Sequence, residues 1–463
     1  MGATLIAAAL FLAGCATPLT HPGVEVALPT NWAEATAADG EALALEAEWW
    51  RRFDSGELET LIDLALTASP DLAVATERVV QAELAVRSTG ASLFPAVNLN
   101  LATTGREANR SSAAGDSSSA GLAMSYEIDV WGSNLLALQG SRAQLAATRY
   151  DYEATRLSLL SGVVNAYTQV LAQRARIAIA QENLAIAERL FGIVEARYRN
   201  GAASALDVSR QRATVMSARD ALLPLEAQER QNLRALAILT GQLPQGFDIQ
   251  GVDLYALAVP ELAPALPGEL LARRPDLAAA EARLASADAN IAVARAALFP
   301  LKLSVGLGST LSSGEFGLLG LGSPTQVASL SLSLVQAIFD GGRLQAQVAT
   351  TESARRQLVE NYRATVLAAL KEVDDALSGV ERSRIQEGSQ REIRDEYAEA
   401  LRLSELRYRE GSDSLSTLLD AQRSLFSAED NLLQQRLTRL GATVDLYKAL
   451  GGGWQRPDAT ENL

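Results

Sequence analysis

The hydrophobic pattern changes period twice in the first half of the chain, and the same changes recur in the second half. From Trp49 onward, Trp50, Phe53, Leu58, Leu61, Ile62, Ala65 and Leu66 fall at helical spacing. A second helix starts at Pro70 and stops at Phe94-Pro95, because the residue before a proline disfavours the α region. Beyond Pro95 the period becomes two. Val97, Leu99 and Leu101 alternate with Ala96, Asn98 and Asn100, and Leu122, Met124, Tyr126, Ile128 and Val130 alternate with small or polar neighbours. These are strands at about 96–105 and 120–130, and the pair returns at about 301–310 and 326–337 with Leu301, Leu303, Val305 and Leu307, then Ala328, Leu330, Leu332 and Leu334. Each is about the length that crosses a bilayer tilted. Alternation alone fits soluble hairpins equally well. Phe94, Trp131, Phe299 and Phe339 favour the membrane reading, since all four fall at the same end of the two hairpins, as an aromatic girdle at one interface would.

The longest elements are helical. No proline interrupts the chain between Pro95 and Pro224 or between Pro324 and Pro457. Residues at about 133–198 and 342–408 read as single helices, roughly 100 Å each at about 1.5 Å per residue. Leu157, Leu160, Val164, Tyr167 and Leu171 alternate spacings of three and four, as do Val366, Leu370, Val373, Leu377 and Val380, which is a coiled-coil seam. Each long helix stops at the glycine of Arg-Tyr-Arg-x-Gly, Gly201 and Gly411, and a returning helix follows at about 204–240 and 413–450. Pro224 is expected to kink or break the first of these.

These changes of period belong to a tandem duplication. Pro70-Asp71-Leu72-Ala73 returns as Pro275-Asp276-Leu277-Ala278 and Leu93-Phe94-Pro95 as Leu298-Phe299-Pro300, both at an offset of 205. Arg197-Tyr198-Arg199 returns as Arg407-Tyr408-Arg409 and Ser217-Ala218-Arg219-Asp220 as Ser427-Ala428-Glu429-Asp430, at 210. The chain therefore divides into repeats at 46–241 and 275–454, joined by a proline-rich linker at 242–274 and followed by a tail at 455–463.

The N-terminus adds an address. Residues 1–14 read as a signal peptide whose apolar core, Ala3 to Ala13, is too short to span a bilayer as a helix. It ends in Leu12-Ala13-Gly14-Cys15, which resembles the lipobox of bacterial lipoproteins. Cys15 is then the lipidated, palmitate-bearing N-terminus of a strap at 15–45, and Ala16 after it is compatible with sorting to the outer membrane. No Lys or Arg precedes the apolar core, so the natural start is expected further upstream. Cys15 is the only cysteine, which excludes intrachain disulfides, thiol catalysis and cysteine-ligated metal, and the only histidine, His21, lies in the strap. A net charge of −14 without a Lys/Arg cluster excludes nucleic acid as a partner. No phosphate loop, nucleophile elbow or histidine metal box is present, so neither an enzyme nor a cofactor is expected.

Four bilayer-length strands cannot close a barrel, and lipid does not tolerate open sheet edges. The chain must find further strands in other copies of itself, and three copies supply twelve. The expected fold is an α+β membrane protein with an internal two-fold repeat. A trimeric 12-stranded transmembrane β-barrel, four strands per chain, continues as a long α-helical coiled-coil barrel in the periplasm.

An ordered set of motifs carries a family resemblance over nearly the whole mature length. It comprises Trp49-Trp50-x-x-Phe53, Pro70-Asp71-Leu72, Phe94-Pro95, Tyr126-Glu127-Ile128-Asp129-Val130-Trp131-Gly132, Phe339-Asp340-Gly341-Gly342, the two Arg-Tyr-Arg-x-Gly turns and Ala449-Leu450-Gly451-Gly452-Gly453-Trp454. Through these the chain resembles the TolC-type outer-membrane factors, above all the lipoprotein branch typified by OprM and the NodT-like efflux subunits. The resemblance implies a homotrimer in outer-membrane lipid, a mixed equatorial belt built from the linker and both termini, and two partners. These are a periplasmic adaptor (membrane fusion) protein and an inner-membrane transporter of the RND type. The implied function is a passive duct for drugs and other small solutes, hence antibiotic resistance, with an iris-like periplasmic gate.

By the same resemblance Asp420 matches the acidic residue that rings the closed entrance, where three carboxylates would repel one another and favour cations. Thr417 stands where a second acidic residue often lies, so a single ring is expected. Asp207, the counterpart of Thr417, would hold the tip shut through Arg409 or Tyr408 of a neighbouring hairpin. Gly201, Ala202, Gly411 and Ser412 are the expected adaptor-docking tips. Two other classes remain open: a duct of the same fold for type I protein secretion, and a pore-less lipid-anchored coiled-coil scaffold.

Overall fold

A computed structural model describes residues 28–32, 46–106, 115–260, 267–298, 302–313, 325–335 and 338–457. A tight turn at Trp49–Phe53 precedes α1 (Gly56–Ala68) and α2 (Pro70–Ala91), then come β1 (Ala96–Arg106), β2 (Gly115–Ile128), α3 (Ser133–Arg199), α4 (Ala205–Asp220) and α5 (Leu222–Leu239). A helical turn at Leu270–Arg273 leads into α6 (Pro275–Ala296), β3 (Lys302–Ser313), β4 (Thr325–Val335), α7 (Arg343–Arg409) and α8 (Leu415–Ala449). The long helices α3 and α7 are each 67 residues. None of the described helices is apolar enough to cross a membrane.

Two carboxylates switch the chain from strand to long helix. Asp129 accepts hydrogen bonds from the backbone N–H groups of Asn134 (2.9 Å) and Leu135 (3.1 Å), and Asp340 from those of Gly342 (3.0 Å) and Leu344 (3.0 Å). Each supplies acceptors and negative charge to the first turn of a helix, where N–H groups have no internal partner. The returning helices differ in one respect. The break expected at Pro224 falls at Ala221, between α4 and α5, so the proline sits in the first turn of α5, where its missing N–H costs nothing. The counterpart of Pro224 is Gln434, and α8 runs unbroken for 35 residues.

Contacts group the chain across the repeats rather than along them. One unit holds Arg78–Arg149 and Ala279–Arg363, the other Val26–Glu77, Tyr150–Ala278 and Ala364–Leu463. The first unit carries an antiparallel sheet in the order β1-β2-β3-β4, so β2 and β3 join the two copies. Met124 stands opposite Leu307 and Leu307 opposite Leu330; Tyr126 stands opposite Val305 and Val305 opposite Leu332. Directly opposed residues share a face. One face is therefore Val97, Leu99, Leu122, Met124, Val305, Leu307, Leu330 and Leu332, and the other is Asn98, Asn100, Ser125, Gly306, Gly308, Ser329 and Ser331. Leu99, Leu122, Leu330 and Leu332 are exposed in the single chain, and β1 and β4 each leave one edge unjoined by any described strand.

The second unit packs around an aromatic knot. Trp49 stacks on Tyr447 of α8 (4.8 Å between ring centres) and meets Phe53 edge-on, in a core with Leu160, Val164, Tyr167 and Leu171 of α3. The linker is tied down by charge from both copies. Arg174 donates to Glu229 (2.8 Å) and to the carbonyl oxygens of Ile249 and Gly251 (both 2.7 Å), and Glu57 accepts from the N–H groups of Gln250 (2.5 Å) and Gly251 (2.9 Å). Arg436 donates to the Leu257 carbonyl oxygen (2.6 Å). The Gly451-Gly452-Gly453 run closes the unit. All three have positive φ, and a Cβ would strike the Arg273 carbonyl at Gly451, Leu157 at Gly452 and the Glu46 carbonyl at Gly453.

Gly451→Ala is expected to cost on the order of 2–3 kcal/mol through left-handed backbone and collision with Arg273; a thermal melt followed by circular dichroism, with unchanged midpoint, would contradict this. Burial pushes the hydroxyls of Tyr167 and Tyr447 up to about 12. The unfolded chain ionises its tyrosines near pH 10, so these two groups keep their stabilising effect below about pH 10 and lose it as pH rises toward about 12. In a spectrophotometric titration this buried fraction should ionise only together with the loss of helical signal.

Candidate functional site

Both helical hairpins turn on the same local device. At the end of α3, Gly201 has φ +75° and donates to the Tyr198 carbonyl (3.0 Å), while the Ala202 N–H reaches back to the Arg197 carbonyl (2.8 Å). At the end of α7, Gly411 has φ +78°, donates to Tyr408 (3.1 Å), and the Ser412 N–H reaches Arg407 (2.9 Å). The left-handed residue lets the last carbonyls of the helix find donors, and glycine adopts it without a Cβ penalty. Gly201, Ala202, Gly411 and Ser412 are all exposed at these turns.

The next helices start differently. Ser204 caps α4 in a reciprocal box: its hydroxyl accepts from the Asp207 N–H (3.2 Å), and the Asp207 carboxylate accepts from the Ser204 N–H (2.9 Å) and hydroxyl (2.8 Å). The Ser204 amide and then its hydroxyl hold the Asp207 carboxyl below the usual carboxylate range. In the second copy Ser414 accepts from the Thr417 N–H (3.3 Å), and the carboxylate comes from Asp413, lowered by the Ser414 amide and then by the Thr417 hydroxyl. Asp207 and Thr417 thus occupy the same capping position, and the charge has moved from one side of the turn to the other.

Within the chain Asp207 bonds neither Arg409 nor Tyr408, and its Oδ2 serves the cap. Arg409 pairs with Glu405 one turn back (3.0 Å). Tyr408 is held by Arg197, whose guanidinium lies 4.7 Å from the ring centre and donates to the Tyr408 carbonyl oxygen. Burial pushes the Tyr408 hydroxyl up, Arg197 lowers it and Asp207 raises it again. Asp420 is exposed on α8 and pairs with Arg423 (3.4 Å), a surface pair of little energetic weight. Beneath these charges Leu190 and Val194 of α3 pack with Leu401, Leu415, Leu418 and Leu425 of α7 and α8, joining the copies at the tips.

At the sheet, the register puts the start of β1 and β3 and the end of β2 and β4 at one end, since Ala96 stands opposite Ser125, Ile128 opposite Leu303 and Lys302 opposite Val335. Phe94, Trp131 and Phe339 flank that end; Phe94 and Phe339 are 72% and 90% exposed and Trp131 is half-buried. Phe299, Cys15 and His21 lie outside the described residues. Among the described residues no group of His, Cys, Asp and Glu could hold a metal ion.

Sequence reasoning missed Arg197, Asp413 and the helix-starting pair Asp129 and Asp340. The two starters were visible as parts of motifs, in Ile128-Asp129-Val130-Trp131-Gly132 and Phe339-Asp340-Gly341-Gly342, with an acceptor just ahead of a long helical run. Arg197 was visible in Arg-Tyr-Arg-x-Gly, but its contact was not, because its partner is 211 residues away.

Comparison with known proteins places this geometry. The family model described as "Outer membrane efflux protein" matches residues 61–242 and 266–452. The chain is 38% identical to the pyoverdine export outer membrane protein OpmQ of Pseudomonas aeruginosa, covering 98% of this chain and 97% of that one. It is 31% identical to the toluene efflux pump outer membrane protein TtgC of Pseudomonas putida, over 99% and 97%. Among solved structures, the outer-membrane channel OprN superposes with a TM-score of 0.82 at 28% identity, over 94% of this chain and 99% of that one. The open state of the MtrE outer membrane channel of Neisseria gonorrhoeae superposes with 0.80 at 28%, over 94% and 98%. With the repeat, the four-stranded sheet and both hairpins inside the matched regions, this chain belongs to the outer membrane efflux protein family.

Proposed function

We propose that three copies of this chain form a passive duct through the outer membrane, with a 12-stranded barrel in lipid and the long hairpins as an α-helical tube in the periplasm. The observation that carries this reading is the sheet itself. One face is apolar and exposed, the other is built from Asn, Ser and Gly, and both edges are open. A soluble scaffold has no use for such a face, and lipid tolerates it only when the edges are closed by further strands. The aromatic end of the sheet then marks one membrane interface, and Cys15 carries a lipid anchor to the same membrane.

The duct takes small organic solutes, as the relatives named for pyoverdine export and toluene efflux do. A periplasmic adaptor docks at the turns around Gly201, Ala202, Gly411 and Ser412, and an RND-type transporter in the inner membrane supplies energy. Tip closure places three Asp420 carboxylates around the entrance. The pair with Arg423 is exposed and exchangeable, so the ring keeps a negative field in a narrow, low-dielectric mouth.

Asp420→Ala is expected to raise single-channel conductance in planar bilayers and lower cation preference; an unchanged trace sinks the gate assignment. Photo-crosslinkers at Ala202 and Ser412 should capture a periplasmic adaptor in intact cells, whereas capture only from positions on the sheet would refute docking at the tips.

A further inference from the structure

Toward the C-terminal end of α8, the second helical hairpin holds a cavity of about 510 Å³ between α7 and α8, with Gly379, Gly441 and Ala442 in its walls. That volume suits a small organic molecule. Glycine inside a helix is less favourable than alanine, because more backbone freedom is lost on folding. Packing gives no reason for Gly441. A Cβ there would meet nothing within 4 Å and would only take up room in the cavity.

The first copy fills the same groove. At the offset of 210, Gly379, Gly441 and Ala442 correspond to Gln169, Gln231 and Asn232. Asn232 accepts from Gln228 (3.0 Å) and donates across the hairpin to the Gln169 carbonyl oxygen (3.5 Å). The charges differ as completely. Asp375, Arg382, Asp445 and Lys448 line the cavity, where the first copy has Asn165, Ala172, Ala235 and Ile238. Asp375 is paired with Lys371. Among the described residues, the side chains of Arg382, Asp445 and Lys448 make no hydrogen bond or ion pair. Partial burial pushes the Asp445 carboxyl up, and the charge of Lys448 pulls it back down.

The cavity shares a helix face with Asp420. Around α8, at about 100° per residue, Thr438 and Asp445 both fall within about 20° of Asp420, and both line the cavity. With Gly379 against Ala442, Asp445 stands level with Ala376, and Arg382 lies about 9 Å nearer the tip at about 1.5 Å per residue. We propose that this groove is a binding niche on the wall of the duct, three per trimer, for zwitterionic organic solutes in transit. The cationic group of the solute sits at Asp445 and its anionic group at Arg382, whose planar fork matches a carboxylate. A solute with a single charge engages one end only. The niche rests on the trimeric duct with Asp420 facing its lumen.

Saturation-transfer NMR on the detergent-solubilised trimer tests this with ε-aminocaproate as the zwitterion and hexylamine and hexanoate as singly charged controls. The zwitterion should bind more tightly than either control. Asp445→Asn together with Arg382→Gln should weaken it by about tenfold or more, as the loss of charge-assisted contacts predicts. Gly441→Leu fills the groove and suits the helix, so it should abolish binding while the thermal midpoint stays level or rises. Thr438→Cys carrying a bulky thiol reagent should lower the conductance of the reconstituted channel. Equal binding of all three compounds overturns the proposal, as does a double variant or a Gly441→Leu trimer that holds the zwitterion unchanged. Unaltered conductance after modification at Thr438→Cys overturns the placing of the niche on the lumen wall. Protein that forms neither trimer nor channel fails the duct reading instead.

Discussion

Backbone pairing in hydrocarbon governs this molecule. A strand in lipid that leaves its N–H and C=O groups unpaired loses several kcal/mol per group, and β1 and β4 each present one edge that no described strand joins. Folding within the chain cannot remove them, because all four strands are already paired in a single order. Closure has to come from identical neighbours, β4 of one chain meeting β1 of the next. Once that is required, the rest is constrained. Each hairpin of the sheet feeds a long helix through an aspartate cap, so the positions of the strands fix how many helical staves there are. The small residues of the polar face, such as Gly306 against Ser331 and Gly308 against Ser329, suit the concave side of a curled sheet.

Much of this was legible in the chain because its signals are local and repeated. Period-two runs marked the strands to within a few residues, and β2 begins earlier than expected at Gly115 because its first turns of alternation are Ser and Gly, which carry no hydrophobic contrast. The absence of proline marked helices of 67 residues. The order of the sheet was not legible, since β2 pairing with β3 is a contact of about 185 residues' separation that no local pattern records. At the tips the motif Arg-Tyr-Arg-x-Gly gave the turn but not its chemistry. The cap that Ser204 forms with Asp207 was not read from the motif, although a serine three residues ahead of an aspartate at a helix start is a local signal.

The linker shows how a region poor in regular structure is nonetheless fixed. Its backbone groups are satisfied by side chains of elements that belong to both copies: Arg174 and Glu57 on the first, Arg436 on the second. Arg436 in turn shares Glu387, almost fully buried, with Arg391 and Arg439. Breaking such a network leaves an uncompensated buried charge. The belt therefore holds the hairpins of one chain together at this level, as the buried cluster of Leu190, Leu401 and Leu418 does at the tips.

Duplication lets the contacts within a chain and between chains differ. A true six-fold ring would have six equal seams, and a stimulus able to open one would open all. A two-fold repeat in a three-fold ring has two kinds of seam that diverge independently. At the tips Leu415, Leu418 and Leu425, which pack within the chain, stand where the first copy has Ala205, Val208 and Val215, a difference of several methylene equivalents at about 0.8 kcal/mol each when buried. The Arg189–Glu405 pair has no counterpart either, since Glu399 and Glu195 stand at the matching positions. The residue that breaks the symmetry at the turn, Asp413 where the first copy has Ala203, lies 3.4 Å from Arg407, the counterpart of Arg197.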